Sequence, residues 1–406
     1  MESAERGQCQ SNVTELEASS SSPLVPIVSL PTPYERRNTF RIGPWEFSLP
    51  WTNALFVLVV LGSSFGQTIL LPLWIDSIKD EISSAAFVDR YFMLSFASLS
   101  FVVIFGLAIL LIRIFSPKDL GETERNFPHL LLFLVGLCGA LNGVLAIFAS
   151  NREKTPRSLE AILGTCKIPL IILFRRFILR KTPNIRKLLC AVVVTLSPVV
   201  YLIPNVHGVV NLLWPVIMTI RFVPAALASV LSEKGVKMRN EMSRRGINLV
   251  YFMFWISTYQ LLCVALMFWV NILPGSGNAS IVDLETNWRH GLQCFFGAGG
   301  CSSRIGTRGT LYIFMSVLLC VGKVHLLRHS EGSAWVAVVE SPVTPLAFIF
   351  WSFFNEDPFK WHSDGDVNDS GFAIGALVVM FSAIMIYEVG DPEISLDDES
   401  RRREEI

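Results

Sequence analysis

Four ionisable residues lie in stretches of the sequence that are otherwise apolar. Lys167 and Arg221 each fall near the middle of such a stretch, Glu340 falls within another, and Glu160 lies near the start of the one that holds Lys167. A charge at the centre of a bilayer costs about 2.5–3.5 kcal/mol on insertion scales, so each needs a compensating role. The two cations are predicted to face a water-filled cavity and to favour an anionic or zwitterionic organic solute. A structural pairing with a carboxylate or with carbonyl groups is the alternative.

The two carboxylates have a different predicted role. A carboxyl group in a desolvated pocket takes up a proton more readily than one in water, so Glu340 and Glu160 are candidates to carry a coupling proton. A salt bridge from Glu340 to Lys167 or Arg221 is the alternative, and both interpretations hold if solute or proton binding breaks the pair. Lys323 lies towards the end of its apolar stretch, and we expect its ammonium group to extend to the membrane interface.

Three uncharged polar residues also fall in apolar stretches, namely Gln67, Asn142 and Gln260. Each is a candidate to bind solute, and hydrogen bonding between neighbouring helices is the alternative. The sequence has no phosphate-binding glycine loop, HExxH or GxSxG motif, so it predicts neither an enzyme nor an ATP-driven pump. The six histidines are dispersed and the formal net charge is zero, so no metal site, cofactor or nucleic-acid partner is predicted.

The composition around these residues is that of a membrane protein. Of the 406 residues 51% are hydrophobic and 17% are charged, and the mean hydropathy is +0.49, whereas soluble domains carry roughly 25% charged residues. Apolar runs of about 20 residues, the length of a membrane span, occur near 51–75, 91–114, 128–149, 158–179, 187–204, 209–232, 249–273, 310–327, 334–354 and 371–389. The sequence therefore predicts an all-α integral membrane protein with ten transmembrane helices, which we number as spans 1 to 10.

An even number of spans places both termini on one side of the membrane. The loops that would share that side carry fifteen Lys and Arg residues, against nine in the opposite loops, so the positive-inside rule predicts cytosolic termini. Residues 1–45 are polar and Ser-rich and are predicted to form a disordered cytosolic tail. Residues 391–406 are predicted to form a second cytosolic tail, which leaves residues 46–390 for the ten-helix domain.

The opposite, luminal loops carry features of an oxidising compartment. The loop between spans 7 and 8 holds a glycosylation sequon at Asn278 and the pair Cys294 and Cys301, and the loop between spans 9 and 10 holds a sequon at Asn368. A disulfide between Cys294 and Cys301 would suit such a lumen, and two free thiols are the alternative.

Two pairs of spans have similar sequences in the same order. Residues 167–174 of span 4 align with residues 343–350 of span 9 at a shift of 176, with Pro, Leu and Phe in common. Residues 191–197 of span 5 align with residues 376–382 of span 10 at a shift of 185. These matches predict that the chain consists of two related halves.

An odd number of spans in each half would invert the second half relative to the first. The predicted architecture is therefore two inverted five-helix repeats, about residues 50–205 and 209–390. In such folds the solute site lies near the bilayer midplane, often where helices are broken. Pro169 and Pro345 occupy equivalent places and are predicted to weaken their helices there, with simple packing kinks as the alternative.

Several stretches of the chain together resemble one family of membrane proteins. They are Lys167-Ile168-Pro169 following Thr155-Pro156, Phe222-Val223-Pro224, Tyr259-Gln260-Leu261, the segment 287–297 that contains Cys294, and Tyr387-Glu388-Val389-Gly390. These stretches occur in the same order as in that family, and the ten-span layout agrees over most of residues 51–390. The chain thus resembles the chloroquine-resistance-transporter-like proteins of the drug/metabolite transporter superfamily.

The resemblance implies a central cavity between two inverted repeats and proton-linked movement of small solutes. It implies a secondary active transporter that exports amino acids, peptides, thiols such as glutathione, or cationic drugs and metabolites from an acidic organelle. The N-terminus holds several acidic residues and so differs from a transit peptide. A vacuolar or endolysosomal membrane is therefore favoured over a plastid envelope.

Two other functions stay open on the sequence. A nucleotide-sugar or phosphate-ester exchanger would also suit two central cations, and a receptor or scaffold with a transporter fold would move no solute. The predicted partners are a small solute, protons and the lipid bilayer. The sequence leaves both a monomer and a homodimer open.

Overall fold

The computed structural model describes most of the predicted membrane domain. The described residues are 39–42, 45–80, 90–117, 120–149, 164–182, 213–240, 243–272, 281–298, 301–330 and 332–355, with stretches of one to three residues elsewhere. Residues 1–49 form a unit apart from residues 50–406. Within the first unit, strands β1 (Thr39–Ile42) and β2 (Trp45–Ser48) pair as an antiparallel hairpin just before the first span.

The rest of the described chain is mainly helical. The α-helices are α1 (Leu49–Asp80), α2 (Arg90–Phe115), α3 (Glu122–Arg125), α4 (His129–Ala149), α5 (Lys167–Phe174), α6 (Leu213–Ile220), α7 (Phe222–Lys237), α8 (Leu249–Leu266), α9 (Ile281–Phe295), α10 (Ser303–His329), α11 (Ser333–Glu340) and α12 (Val343–Phe353). Short 3-10 helices cover Gly164–Cys166 and Phe268–Ile272, and a π-helix covers Arg175–Leu179. The remaining strands are β3 (Lys181–Thr182), β4 (Arg239–Asn240), β5 (Ser243–Gly246), β6 (Phe354–Asn355), β7 (Lys360–Trp361) and β8 (Ile394–Ser395), which pair as β3–β8, β4–β5 and β6–β7.

Six described helical segments are long and apolar enough to cross a membrane. They are Trp51–Ser77, Tyr91–Phe115, His129–Ile147, Leu249–Leu266, Ser303–His329 and Ser333–Trp351. The chain is thus a helical integral membrane protein. Helices occur in eight of the ten predicted apolar runs, whereas the runs 187–204 and 371–389 lie largely outside the described residues. The count of ten spans therefore stays a prediction.

Helix α2 shows how the apolar surface is used. Its exposed residues include Leu99, Val103, Leu107, Leu111 and Ile114, which recur every three or four positions. This spacing places them on one face of the helix. An exposed apolar face that runs along most of a helix is unfavourable in water. We infer that this face contacts lipid, while the rest of the helix packs against protein.

The helices approach one another most closely where glycines line the contact. Helix α8 packs against α2 and α4, α4 packs against α7, and α5 packs against α7 and α11. A Cβ atom added to Gly136 of α4 would lie 2.8 Å from the backbone nitrogen of Gln260 in α8. Small residues allow this backbone-to-backbone approach, and in a membrane such packing replaces the hydrophobic effect as the force that joins helices.

Loops that the alternating topology assigns to one side contact each other. The Glu124 carboxylate accepts hydrogen bonds from the backbone N–H groups of Gly121 at 2.8 Å and Asn248 at 3.1 Å. Arg328 donates to the backbone carbonyl of Ile247 at 3.1 Å. These contacts join the loops between spans 2 and 3, 6 and 7, and 8 and 9. They agree with the predicted alternation, and the assignment of this side to the cytosol stays a prediction.

We expect Gly136→Ala to lower the free energy of unfolding by about 1–3 kcal/mol, the usual cost of overpacking a tight contact. The added methyl group would overlap the α8 backbone, which can yield only if the two helices separate. The measurement is the thermal unfolding midpoint in detergent, followed by tryptophan fluorescence. Gly62→Ala in α1 is the control, because its Cβ would meet no atom within 4 Å. Equal midpoints for the two variants would contradict the close approach of α4 and α8.

Candidate functional site

Three charged residues predicted from the sequence lie where helices are interrupted. Lys167 is the first residue of α5, directly after the 3-10 helix Gly164–Cys166. Arg221 lies between α6 and α7 with helical backbone angles, and Glu340 is the last residue of α11, where the helix pauses before α12. Irregular backbone at membrane depth is tolerated where it is buried in protein or lines a water-filled cavity. The interruptions therefore mark candidate positions for such a cavity.

Pro169 and Pro345 lie just after two of these interruptions. Pro169 is the third residue of α5, and Pro345 is the third residue of α12, which begins at Val343. A proline in the first turn of a helix costs no intrahelical hydrogen bond, because the first N–H groups have no partner there. Each proline therefore lies in the first turn of the second helical segment of its span. The shift of 176 that aligns the two prolines also aligns the first residues of the two helices.

Glu340 binds two lysines from different helices. Its Oε2 lies 3.3 Å from Nζ of Lys167, and its Oε1 lies 2.6 Å from Nζ of Lys323 in α10. The side chains of Glu340, Lys167 and Lys323 are 13%, 20% and 29% exposed, so all three are partly accessible. The salt bridge to Lys167 is one of the two alternatives that the sequence left open for Glu340.

The expectation that Lys323 extends to the interface was wrong. Its ammonium group turns instead to Glu340. A carboxylate within reach in a low-dielectric interior attracts an ammonium group far more strongly than it would in water. The hydropathy of one helix predicts how deep a lysine lies in the membrane. It does not show that another helix presents a carboxylate at the same depth.

Arg221 adds a third cation to this cluster. Its guanidinium carbon lies 4.8 Å from the centroid of the Phe222 ring. It is also close enough to interact electrostatically with Lys167 and Tyr312. Lys167 and Lys323 thus both bind the one carboxylate, and Arg221 interacts with Lys167. We call Lys167, Arg221, Lys323 and Glu340 the central charged cluster, and its excess of positive charge favours an anionic group on a bound solute.

Gln67 is held by hydrogen bonds between helices. Its Nε2 donates to the Ser316 hydroxyl at 3.0 Å and to the Tyr312 hydroxyl at 3.4 Å, which joins α1 to α10. Because Tyr312 is also within electrostatic reach of Arg221, Gln67 belongs to the surroundings of the central charged cluster.

Gln260 and Asn142 lie at the contact between α4 and α8. The Gln260 Oε1 atom would lie 3.2 Å from a Cβ atom added to Gly139 of α4, and Asn142 is half-buried on the same helix. Within the described part of the chain, neither side chain bonds to Glu340 or its lysines. Three further predicted residues lie outside the described residues: Glu160, Asn278 and Asn368.

Cys294 and Cys301 form the disulfide that the sequence suggested. The bond links the end of α9 to the residues just before α10. His290, one turn before Cys294 on α9, places its Nε2 atom 3.6 Å from the Cys294 sulfur. The fold thus brings together three side chains of types that bind metals, although both sulfurs are taken up by the S–S bond.

A second ionic cluster, which sequence analysis missed, surrounds Glu233 of α7. Its carboxylate is 0% exposed and lies 3.0 Å from Nε of Arg175 and 3.1 Å from Nζ of Lys237. Ser333, the first residue of α11, donates its backbone N–H and its hydroxyl to the same carboxylate at 2.8 and 2.7 Å. In the sequence, Glu233 and Lys237 look like an ordinary surface pair four residues apart on a helix, and Arg175 looks like one more loop cation. The partners come from three spans, which no local pattern relates.

We expect Glu340→Gln to lower the free energy of unfolding by about 3 kcal/mol, because it leaves two ammonium groups near each other without a carboxylate. Lys167→Gln introduced together with it should recover part of that loss, since one unpaired charge is removed. The measurement is the unfolding of both single variants and the double variant in detergent. Glu285→Gln, at an exposed carboxylate of α9, is the control and should change stability by less than about 0.5 kcal/mol. Additive losses in the double variant would contradict the pairing.

The model of the CRT-like, chloroquine-resistance transporter-like family matches residues 75–350. That range includes the central charged cluster and the cluster around Glu233.

Two curated proteins of Dictyostelium discoideum are also similar to this chain. Crt homolog 1 is 21% identical over 395 residues, which cover 86% of this chain and 78% of that protein. Crt homolog 3 is 22% identical over 304 residues, which cover 68% of this chain and 58% of that protein. The family match covers well over half of the chain, and the chain therefore belongs to the CRT-like, chloroquine-resistance transporter-like family of membrane proteins.

Proposed function

We propose that the chain is a proton-coupled secondary transporter that exports small organic solutes from an acidic organelle. The observation that carries this proposal is the position of Glu340, whose single carboxylate is shared by Lys167 and Lys323. All three side chains are partly accessible, and two of them lie at helix interruptions. When one carboxylate pairs with two cations, its protonation changes what those cations can bind.

The coupling follows from charge balance. Protonation of Glu340 from an acidic lumen removes its negative charge and frees the ammonium groups of both lysines. A carboxylate or phosphate of the solute then takes the place of the Glu340 carboxylate, so the site keeps its net charge. On the neutral cytosolic side Glu340 loses its proton, pairs again with the lysines and displaces the solute. The solute and the proton bind to the same state, which is the condition for coupled movement.

The central charged cluster supports some solute classes better than others. Amino acids and small peptides, including thiols such as glutathione, carry a carboxylate for the lysines and Arg221. Among the charged residues of this cluster, only Glu340 attracts a cationic drug or metabolite. The excess of cations in the cluster repels such a solute. Because the chain resembles members of the drug/metabolite transporter superfamily, cationic drugs and metabolites stay among the candidate solutes.

Two inverted five-helix repeats supply the framework that we propose for this transport. The equivalent starts of α5 and α12, each two residues before a proline, support the repeat. In such folds two halves move around a site at the midplane. We further propose a vacuolar or endolysosomal membrane with both termini in the cytosol, a placement supported by the distribution of Lys and Arg and by the disulfide in the opposite loop. Glu160, outside the described residues, remains a second candidate for proton coupling.

One alternative transport function has direct support. Three cations around one carboxylate would also bind the phosphate of a phosphate ester or nucleotide sugar. Such an exchanger would swap one solute for another without a proton gradient. A receptor or scaffold would show no solute flux in either case. Flux measured with and without an imposed pH gradient therefore separates the three functions.

We expect Lys167→Ala and Arg221→Ala each to raise the KM for an anionic or zwitterionic solute by about tenfold, the effect of losing roughly 1.4 kcal/mol of binding free energy. The measurement is uptake by proteoliposomes after a screen of amino acids, peptides and phosphate esters. Lys234→Ala is the matched control, since it removes a cation from the exposed face of α7. Unchanged KM values in both cluster variants would exclude the cluster as the solute site.

We expect Glu340→Gln to abolish accumulation driven by a pH gradient while it leaves exchange of internal for external solute largely intact. Glutamine resembles a permanently protonated carboxyl group, so the lysines stay free for the solute and no proton is released. The measurement compares gradient-driven uptake with exchange at equal pH in the same vesicles. Persistent gradient-driven accumulation in this variant would assign proton coupling to another residue, with Glu160 tested next.

A further inference from the structure

The two ionic clusters lie at opposite ends of the same helical segments. Three helical segments each carry a residue of the central charged cluster near one end. Near the other end, each carries Glu233 or a residue that binds it. The pairs are Lys167 and Arg175 on α5 and its π-helical extension, Arg221 and Glu233 across α7, and Glu340 and Ser333 on α11. At a rise of 1.5 Å per residue, the clusters are separated by roughly 10–18 Å along the helices.

The space between the clusters is filled by apolar side chains. A single buried cluster is formed by Ile168, Ile171, Ile172, Ala226, Val230, Ala334 and Ala337. Its members come from α5, α7 and α11, the same three helices that carry the charges. Close-packed apolar side chains leave few voids larger than a water molecule. We call this cluster the apolar plug, and it blocks the direct path between the two ionic clusters.

The Glu233 cluster is built far more tightly than the central one. Its carboxylate binds Arg175, Lys237 and both donors of Ser333, and it is 0% exposed. Gly332 precedes Ser333 with φ +122, a conformation that favours glycine. A Cβ atom at Gly332 would overlap the Glu233 carboxylate. The start of α11 can thus approach the carboxylate only because residue 332 lacks a side chain.

We propose that Arg175, Glu233 and Ser333 form a cytosolic lock, which closes the cytosolic end of the solute pathway and must break when the site opens to that side. This inference rests on the proposed transport function. Arg175 belongs to the predicted first half of the chain, and Glu233 and Ser333 belong to the second. Any movement that parts the two halves at this end separates the guanidinium group from the carboxylate.

Lys237 gives the lock a way to open without leaving Glu233 unpaired. It lies four residues after Glu233 on the same helix, so it moves with that carboxylate, and its side chain is 27% exposed. An unpaired buried carboxylate would cost several kcal/mol. With Lys237 as a partner and cytosolic water entering, Glu233 stays neutralised after Arg175 leaves.

The test uses Cys166, which is half-buried next to Lys167 on the central side of the apolar plug. The full chain is reconstituted in vesicles and treated from the cytosolic face with a membrane-impermeant thiol reagent. Labelling of Cys166 is then followed by peptide mass spectrometry. Glu233→Gln removes the bridge to Arg175, which only the closed state has, so it should shift the population towards the open state and raise the labelling rate about tenfold. Labelling from the luminal face should fall.

Three further variants keep the result interpretable. Ser333→Ala removes one hydroxyl donor and no charge, so it folds more readily, and it should raise cytosolic labelling about threefold. Lys237→Gln removes the partner that Glu233 keeps in the open state, so it should lower cytosolic labelling. Lys234→Gln, at an exposed lysine of the same helix, is the matched control and should change labelling by less than about twofold. Unchanged labelling in both Glu233→Gln and Ser333→Ala, at normal unfolding midpoints, would overturn the lock.

The readout separates this proposal from the proposed function. Labelling needs no solute, so a shift in accessibility supports the lock even if no transported solute is found. Conversely, proton-driven flux in the unmodified chain together with unchanged labelling in the variants would overturn the lock and leave the transporter in place.

Discussion

The Glu340 carboxylate is the constraint on which the arrangement of this membrane domain depends. A charge inside a bilayer is costly, and Lys167 and Lys323 can lie together there because the Glu340 carboxylate pairs with both of them. That requirement brings the first residue of α5, the last third of α10 and the last residue of α11 to one place. The helix interruptions are tolerated there because the surrounding segments bury the irregular backbone.

The contrast between the two ionic clusters indicates different tasks. Glu340 and its lysines are partly accessible, and one carboxylate serves two cations, so an incoming anion can exchange with it. Glu233 is inaccessible and bound on several sides, so nothing can exchange with it unless the helices move. On the transport function proposed above, the charge that responds to the solute is held loosely, and the charge that keeps segments together is held tightly. The apolar plug lies between them.

The sequence predicted which charged residues lie within apolar spans better than it predicted which residues they contact. Apolar runs and their interruptions identified Lys167, Arg221 and Glu340, and an ion pair between Lys167 and Glu340 was among the alternatives. The same reasoning failed for Lys323, Arg175 and Glu233, because periodicity places a residue along a helix without showing which helix it faces. Sequence analysis missed Glu233 for a further reason. Lys237 is an obvious local partner on the same helix, whereas the partners from other helices, Arg175 and Ser333, are distant in the chain. Loop cations counted for topology can therefore include one that is buried.

The two predicted halves are similar in backbone and different in charge. The shift of 176 superposes the starts of α5 and α12, yet it aligns Lys167 with Val343 and Glu340 with Gly164. Each half thus supplies an interrupted helix, while the cation of the central pair comes from the first half and its carboxylate from the second. The same division holds for Arg175 and Glu233. Both ionic contacts therefore cross between the halves, so a rearrangement of one half against the other acts on both at once. A proton on Glu340 weakens the first contact without touching the second. On the lock proposed above, the energy of opening is then set by the second contact.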